Sequence, residues 1–143
     1  MKITLDTNII FQAIYSNQGA SHQILKMIRK EKLKLALSIP VFKEYCTVLS
    51  RPSTLEQTRL NIKQINSVLD FLAYAGYYAK IYFLLRPNLR DENDNIFLEL
   101  AFASNSKYLI TCNIKHFQQS NLIFDDFQII TPGDFLKERG ELN

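Results

Sequence analysis

Long apolar runs are missing from this chain of 143 residues. No stretch of 18 or more apolar residues occurs, so no membrane-spanning helix is expected. Cysteine is scarce. Cys46 and Cys112 stand far apart without metal-type spacing, so they read as reduced, buried thiols, and a structural zinc site has almost no support. The N-terminus runs straight into Lys2-Ile3-Thr4-Leu5-Asp6. It lacks the longer apolar core and the small-residue cleavage site of a signal peptide, and the expected location is the cytoplasm. Four glycines and four prolines build no linker, and no repeat or low-complexity tract appears. The chain reads as one domain over residues 1–143. A large excess of either charge is also absent. Seventeen basic against 14 acidic residues leave a net charge of +3, which permits nucleic-acid binding without requiring it.

What is present is enough apolar residue for a core, 47% of the chain, and its arrangement is informative. Four short apolar runs read as buried strands: Ile3-Thr4-Leu5, Leu35-Ala36-Leu37-Ser38, Tyr108-Leu109-Ile110-Thr111 and Phe127-Gln128-Ile129-Ile130-Thr131. Ala79-Lys80-Ile81-Tyr82 is a weaker fifth. Between them lie segments with helical period. Ile24, Leu25, Ile28 and Leu33 fit a helix opened by Ser21 as N-cap. A second helix, 41–49, follows Pro40 and stops near Arg51-Pro52. Ile62, Ile65, Val68, Leu69 and Leu72 mark a third that ends near Gly76. Residues 96–103 are apolar nearly all round, as a helix buried between layers would be. Phe135-Leu136 opens a short terminal helix. Strands alternating with helices predict an α/β fold with a mostly parallel sheet covered on both faces.

Three of the acids stand in unusual places. Asp6 ends the first strand, Glu44 lies one turn into the helix after the second, and Asp94 opens the apolar helix 96–103. In a doubly wound sheet such segments gather at the carboxyl ends of the strands. Acids brought together raise one another's pKa, and a hard cation such as Mg²⁺ or Mn²⁺ relieves the repulsion through oxygen ligands. Each acid also has a structural reading: a cap on residues 7–9 for Asp6, a solvated helix residue for Glu44, a helix-dipole charge for Asp94. The metal reading draws its weight from the three together. Thr111 and Asn113 come to a fourth strand tip, where Thr111 could fix a carboxylate by a hydrogen bond and Asn113 could ligate through its carbonyl. His116 reads as a loop or packing histidine. The basic cluster Lys26, Arg29, Lys30, Lys32 and Lys34 reads as helix-end complementation and solvated surface, with contact to a phosphate backbone as the alternative.

Four motifs, taken in order, resemble the PIN domain. They are Leu5-Asp6-Thr7-Asn8-Ile9; Ile39-Pro40-Val41-Phe42-Lys43-Glu44-Tyr45 with Val48-Leu49-Ser50-Arg51-Pro52; Asp91-Glu92-Asn93-Asp94-Asn95-Ile96-Phe97-Leu98-Glu99-Leu100-Ala101; and Tyr108-Leu109-Ile110-Thr111-Cys112-Asn113-Ile114-Lys115-His116-Phe117. Each is short, but their order and separation are specific, and the resemblance is to the bacterial VapC-like toxins of toxin–antitoxin systems. It implies a Rossmann-like three-layer α/β/α sandwich and Mg²⁺- or Mn²⁺-dependent cleavage of RNA by in-line attack of water. Asp6, Glu44 and Asp94 match the family's metal-holding acids, with Asp91 the other candidate for the third place. Asn8 and Thr111 stand as supporting residues. The family's fourth acid commonly falls where this chain has Asn113; many VapC-like sequences also carry Asn there, so activity is still expected, but one metal is better supported than two. The resemblance further implies an antitoxin partner that covers the site, and a homodimer. Lys43, Arg51, Arg90 and Lys115 lie near the motifs and could meet RNA phosphates.

Two other readings remain at this stage. A haloacid-dehalogenase-like phosphatase also carries an Asp at the end of its first strand, but it needs a second Asp where Asn8 stands. A PIN domain that binds RNA or protein without cutting would account for Asn113.

Overall fold

The computed structural model describes residues 1–81, 92–117 and 127–140. Its centre is β1 (Lys2–Leu5), whose Ile3, Thr4 and Leu5 are wholly buried. A strand covered on both faces reads as an unbroken apolar run, and this one does. On one side β1 pairs with β2 (Lys34–Leu37), and β2 with β3 (Tyr77–Tyr78). On the other it pairs with β4 (Tyr108–Ile110), and β4 with β5 (Gln128–Ile130). Every pairing is parallel and the order is β3-β2-β1-β4-β5. The chain steps outward from β1 to β3, then returns to lay β4 on the far side of β1. Strand order therefore reverses between β1 and β4, the place where open α/β sheets bind ligands.

Register decides which residues leave the sheet together at that point. Leu5 stands opposite Ile110, so the next residues, Asp6 and Thr111, emerge side by side. Both stay tied to the ladder: Asp6 N–H donates to the Ile110 carbonyl and Thr111 N–H to the Ile130 carbonyl, each at 3.0 Å.

Helices flank the sheet and complete a three-layer α/β/α sandwich. They are α1 (Thr7–Tyr15), α2 (Ala20–Arg29), α3 (Ile39–Leu49), α4 (Pro52–Thr58), α5 (Ile62–Ala75), α6 (Glu92–Ala103), α7 (Ile114–Phe117) and α8 (Pro132–Glu138). Helix α6 lies against β1, β2 and β4, α5 against β2, and α2 against α1 and α8. Local sequence explains several starts. Ser38 caps α3 by accepting from Val41 N–H, and Pro40 fits the first turn, which has no use for its missing donor. Asn61 and Gln64 form a reciprocal capping box on α5. Thr131 caps α8 at Asp134 N–H.

The structure revises several sequence expectations. Gly19, not Ser21, is the N-cap of α2, and Ser21 is buried in its first turn. Helix α1 begins directly at Thr7, where the sequence showed only an apolar run. Pro52 stops one helix and opens another, because a proline that cannot continue α3 is well placed at the first position of α4. The fifth strand is shifted: Tyr77–Tyr78 pairs with β2, and Ala79 N–H adds a bond to the Leu37 carbonyl. Tyr82 lies outside the described residues. Both cysteines are free, but Cys46 is half-buried and Cys112 exposed, against the expected burial. Among the described residues no helix is long and apolar enough to cross a membrane.

Gly76 ends α5 and turns the chain into β3. A Cβ there would stand 2.7 Å from Leu37 Cγ and 3.0 Å from the Leu72 carbonyl oxygen. Leu37 is fully buried and has nowhere to move. Gly76→Ala is therefore predicted to lose about 1–3 kcal/mol through overpacking. Urea denaturation would show it as a lower midpoint with an unchanged slope.

Candidate active site

The Asp6 carboxylate is the centre of the polar cluster at the switch point. It is the N-cap residue of α1, yet its side chain makes no capping hydrogen bond. Thr111 Oγ1 donates to Asp6 Oδ2 at 2.7 Å instead, and the same hydroxyl accepts from Asn113 N–H at 3.0 Å. With both partners engaged, Thr111 has a fixed rotamer and holds the carboxylate in one orientation. Of the cap on residues 7–9 that the sequence allowed for Asp6, only a contact to the Thr7 N–H is present.

Asp6 is 7% exposed, and that burial pushes its carboxyl above the ordinary range. Hydrogen bonds from Thr111, the Thr7 N–H and the Asn8 side chain, and the His116 charge, act in the opposite direction. Beneath the site, Tyr45 on α3 donates its hydroxyl to the carbonyl of Leu5, the residue before Asp6. Burial, and secondly the Asp6 charge, hold that phenol well above its usual pKa, so it stays a neutral donor. Tyr45 follows the buried face Val41-Tyr45-Leu49, spaced by four, and thereby ties α3 to the tip of β1.

Asp94 sits in the first turn of α6, partly exposed, with His116 Nδ1 3.6 Å from its Oδ2. His116, expected to pack in a loop, instead stands 58% exposed between the influence of two acids. It borders a cavity of about 390 Å³ with Cys112, Asn113, Ile114, Lys115 and Thr131. Asn113 is at the margin of the Asp6 cluster through its N–H to Thr111, and Lys115 borders the cavity beside His116. Glu44, one residue before Tyr45, is half-exposed on α3. Asp91 and Arg90 lie outside the described residues. Among the described residues, no three His, Cys, Asp or Glu side chains stand close enough together to hold a metal ion. Glu44 therefore does not join Asp6 and Asp94 in such a group.

The donor chemistry nevertheless fits a hard divalent cation. Thr7 Oγ1 and Asn8 Oδ1, next to Asp6, are buried oxygens without a hydrogen-bond partner. Orphaned buried acceptors are costly and mark a site whose partner is something other than protein. Mg²⁺ commonly takes one or two carboxylates and fills its remaining positions with water and phosphate. Asp6 is the buried carboxylate there, and Asp94 is linked to it through His116, whose charge acts on Asp6.

The sequence passed over two residues here. Tyr45 gave no signal beyond an apolar helical stripe. Glu99 did: it is the acid in the otherwise apolar run 96–103, and it is buried at 4% exposure. A buried acid on the helix that carries Asp94 is held by interactions within the protein.

Residues 2–115 match the family described as PIN domain. The chain belongs to the PIN-domain family. An uncharacterized protein of Methanocaldococcus jannaschii, MJ1680, is 25% identical to this PIN domain over 151 residues, covering 96% of this chain and 91% of that protein. Two solved structures share the fold. VapBC2 from Rickettsia felis, bound to a DNA fragment from its promoter, has a TM-score of 0.59 and 20% identity, over 92% of this chain and 98% of that one. VapBC-1 from nontypeable Haemophilus influenzae has a TM-score of 0.57 and 20% identity, over 93% and 99%.

Burying a charge at Asp6 has a measurable cost. An aspartate whose folded pKa lies above its unfolded value loses stability as pH rises through the interval between the two. The penalty is absent well below the model-peptide value of 3.8 and complete above the folded pKa. Asp6→Asn keeps an acceptor for Thr111 and removes the charge. In chelator at pH 7 it is predicted to be more stable than wild type. The difference should shrink toward pH 4, as thermal denaturation across that range would show.

Proposed function

We propose that this PIN domain is a Mg²⁺- or Mn²⁺-dependent ribonuclease, the toxin of a toxin–antitoxin pair. The observation that carries the reading is the buried Asp6 carboxylate, oriented by Thr111 at the β1–β4 switch point. A carboxylate kept there at a cost to folding needs a cationic ligand to account for it. When bound, a hard divalent cation polarises a phosphoryl oxygen and offsets the negative charge that develops as a phosphodiester is hydrolysed.

In this reading Asp6 and Asp94 hold the cation, with Asp91 the alternative to Asp94. Thr111 and Asn8 fix the orientation of Asp6. Glu44, expected to ligate directly or orient the water, is left with the second role, since it does not join Asp6 and Asp94 in one group. Asn113 stands where a fourth acid would be, which favours one protein-held cation over a symmetric pair. Lys115, on the neighbouring cavity, is placed to meet a phosphate, and Lys43, Arg51 and Arg90 are further candidates. The fold shared with VapBC proteins supports an antitoxin as partner; a homodimer as the working assembly rests on the family resemblance alone.

A second reading has specific support. Asn113, together with the lack of a three-acid group among the described residues, would suit a PIN domain that binds RNA or protein without cutting. One assay separates the two. Purified protein is expected to cleave single-stranded RNA with Mn²⁺ or Mg²⁺ and to stop in chelator. Thr111→Val should lose about 10–100-fold in kcat/KM, as loss of a partner to a metal-holding side chain does, and Asp6→Ala more. Equal inertness of wild type and Asp6→Ala on a broad RNA panel would favour the binding module.

A further inference from the structure

The end of the sheet opposite Asp6 carries a feature that the reaction does not use. Lys2 and Lys34 open β1 and β2 as register partners. Lys2 Nζ lies 3.9 Å over the ring of Tyr77, which opens β3. Next to them a groove of about 690 Å³ runs between the end of α2 and the end of α5, bordered by Arg29, Lys32, Lys34 and Tyr74. Glu31 is the acid on this border. Tyr74 is 91% exposed, and Tyr77 and Tyr78 are also exposed. Lys26 and Arg29 fall in the last turn of α2, where the helix dipole favours them. Lys32 and Lys34 lie beyond that turn, so the dipole does not explain them.

We propose that this end is a binding surface for single-stranded RNA, separate from the Asp6 site. Cations on three different segments, interleaved with exposed aromatic rings, make a track for a phosphate chain with platforms for bases. In the groove Ile28 and Leu33 are only 3% exposed, and Met1 on its border, 46% exposed, is the accessible aliphatic side chain. Tyr74, 91% exposed on that border among the cations, offers a ring that suits base stacking. Four residues of β1 separate the two sites, about 13 Å of strand, so one RNA must pass around the domain to engage both. The surface would then hold RNA while the Asp6 site cuts it. Its biological sense rests on the nuclease reading, but binding is measurable without cleavage.

The test is fluorescence anisotropy with a labelled single-stranded RNA of about 20 nucleotides, in EDTA, over a range of salt. Tyr74→Ala is expected to weaken binding about 5-fold or more. Lys32→Ala/Lys34→Ala should weaken it further and lower the slope of log affinity against log salt by about 1.4. All three side chains are exposed, and circular dichroism would check that the variants stay folded. If no metal yields cleavage but the tyrosine and lysine variants lose RNA, the nuclease reading fails and this one stands. Wild-type affinity in both variants, or no binding by wild type at low salt, overturns it. So does loss of an acidic polyglutamate probe with RNA binding intact.

Discussion

The hydrogen bond from Thr111 to Asp6 joins the two strands between which the sheet changes direction. It depends on register: a slip of one residue between β1 and β4 would turn both side chains away from the crevice. It depends on the ladder, which carries both residues one step beyond the strands before helices begin. It depends on α3, whose buried Tyr45 grips the Leu5 carbonyl from below. These constraints hold a carboxylate where burial opposes its charge. Neighbouring donors and the His116 charge recover only part of that penalty. Two adjacent oxygens, on Thr7 and Asn8, have no protein partner. Those unpartnered oxygens beside a buried carboxylate are the observation behind the proposed cation site.

Much of the fold was legible because parallel strands buried on both faces leave short, continuous apolar runs. Ile3-Thr4-Leu5 and Tyr108-Leu109-Ile110 are such runs, and both became central strands. The edge was less legible. Tyr77–Tyr78 is two residues long and exposed, so it carries neither alternation nor an apolar core signal. It forms where it does because Gly76 permits close approach to Leu37. Helix boundaries failed where backbone geometry outweighed side-chain preference: Gly19, without a capping side chain, is the N-cap that Ser21 was expected to be.

The site divides along a similar line. Asp6 and Thr111 could be read from the sequence because a strand tip converts linear position into place. His116 could not, since nothing in the order of residues says that a short helix after β4 will bring it beside Asp94. Glu44 shows the reverse problem. Its position in a motif matched the family, but a helix places side chains by rotation as well as by rise, and it does not complete a three-acid group with Asp6 and Asp94. Glu99 was visible as an acid in an apolar helix, although the pattern alone named no partner for it.

The central claim is that Asp6 carries its buried charge for a divalent cation. Mn²⁺ binding followed by electron paramagnetic resonance tests it without any RNA. Wild type should remove free Mn²⁺ signal saturably. Asp6→Asn, with the same shape and the same Thr111 partner, should bind at least 10-fold more weakly, in the range expected when a metal site loses an ordering or ligating group. Equal Mn²⁺ affinity in wild type and Asp6→Asn would contradict the account.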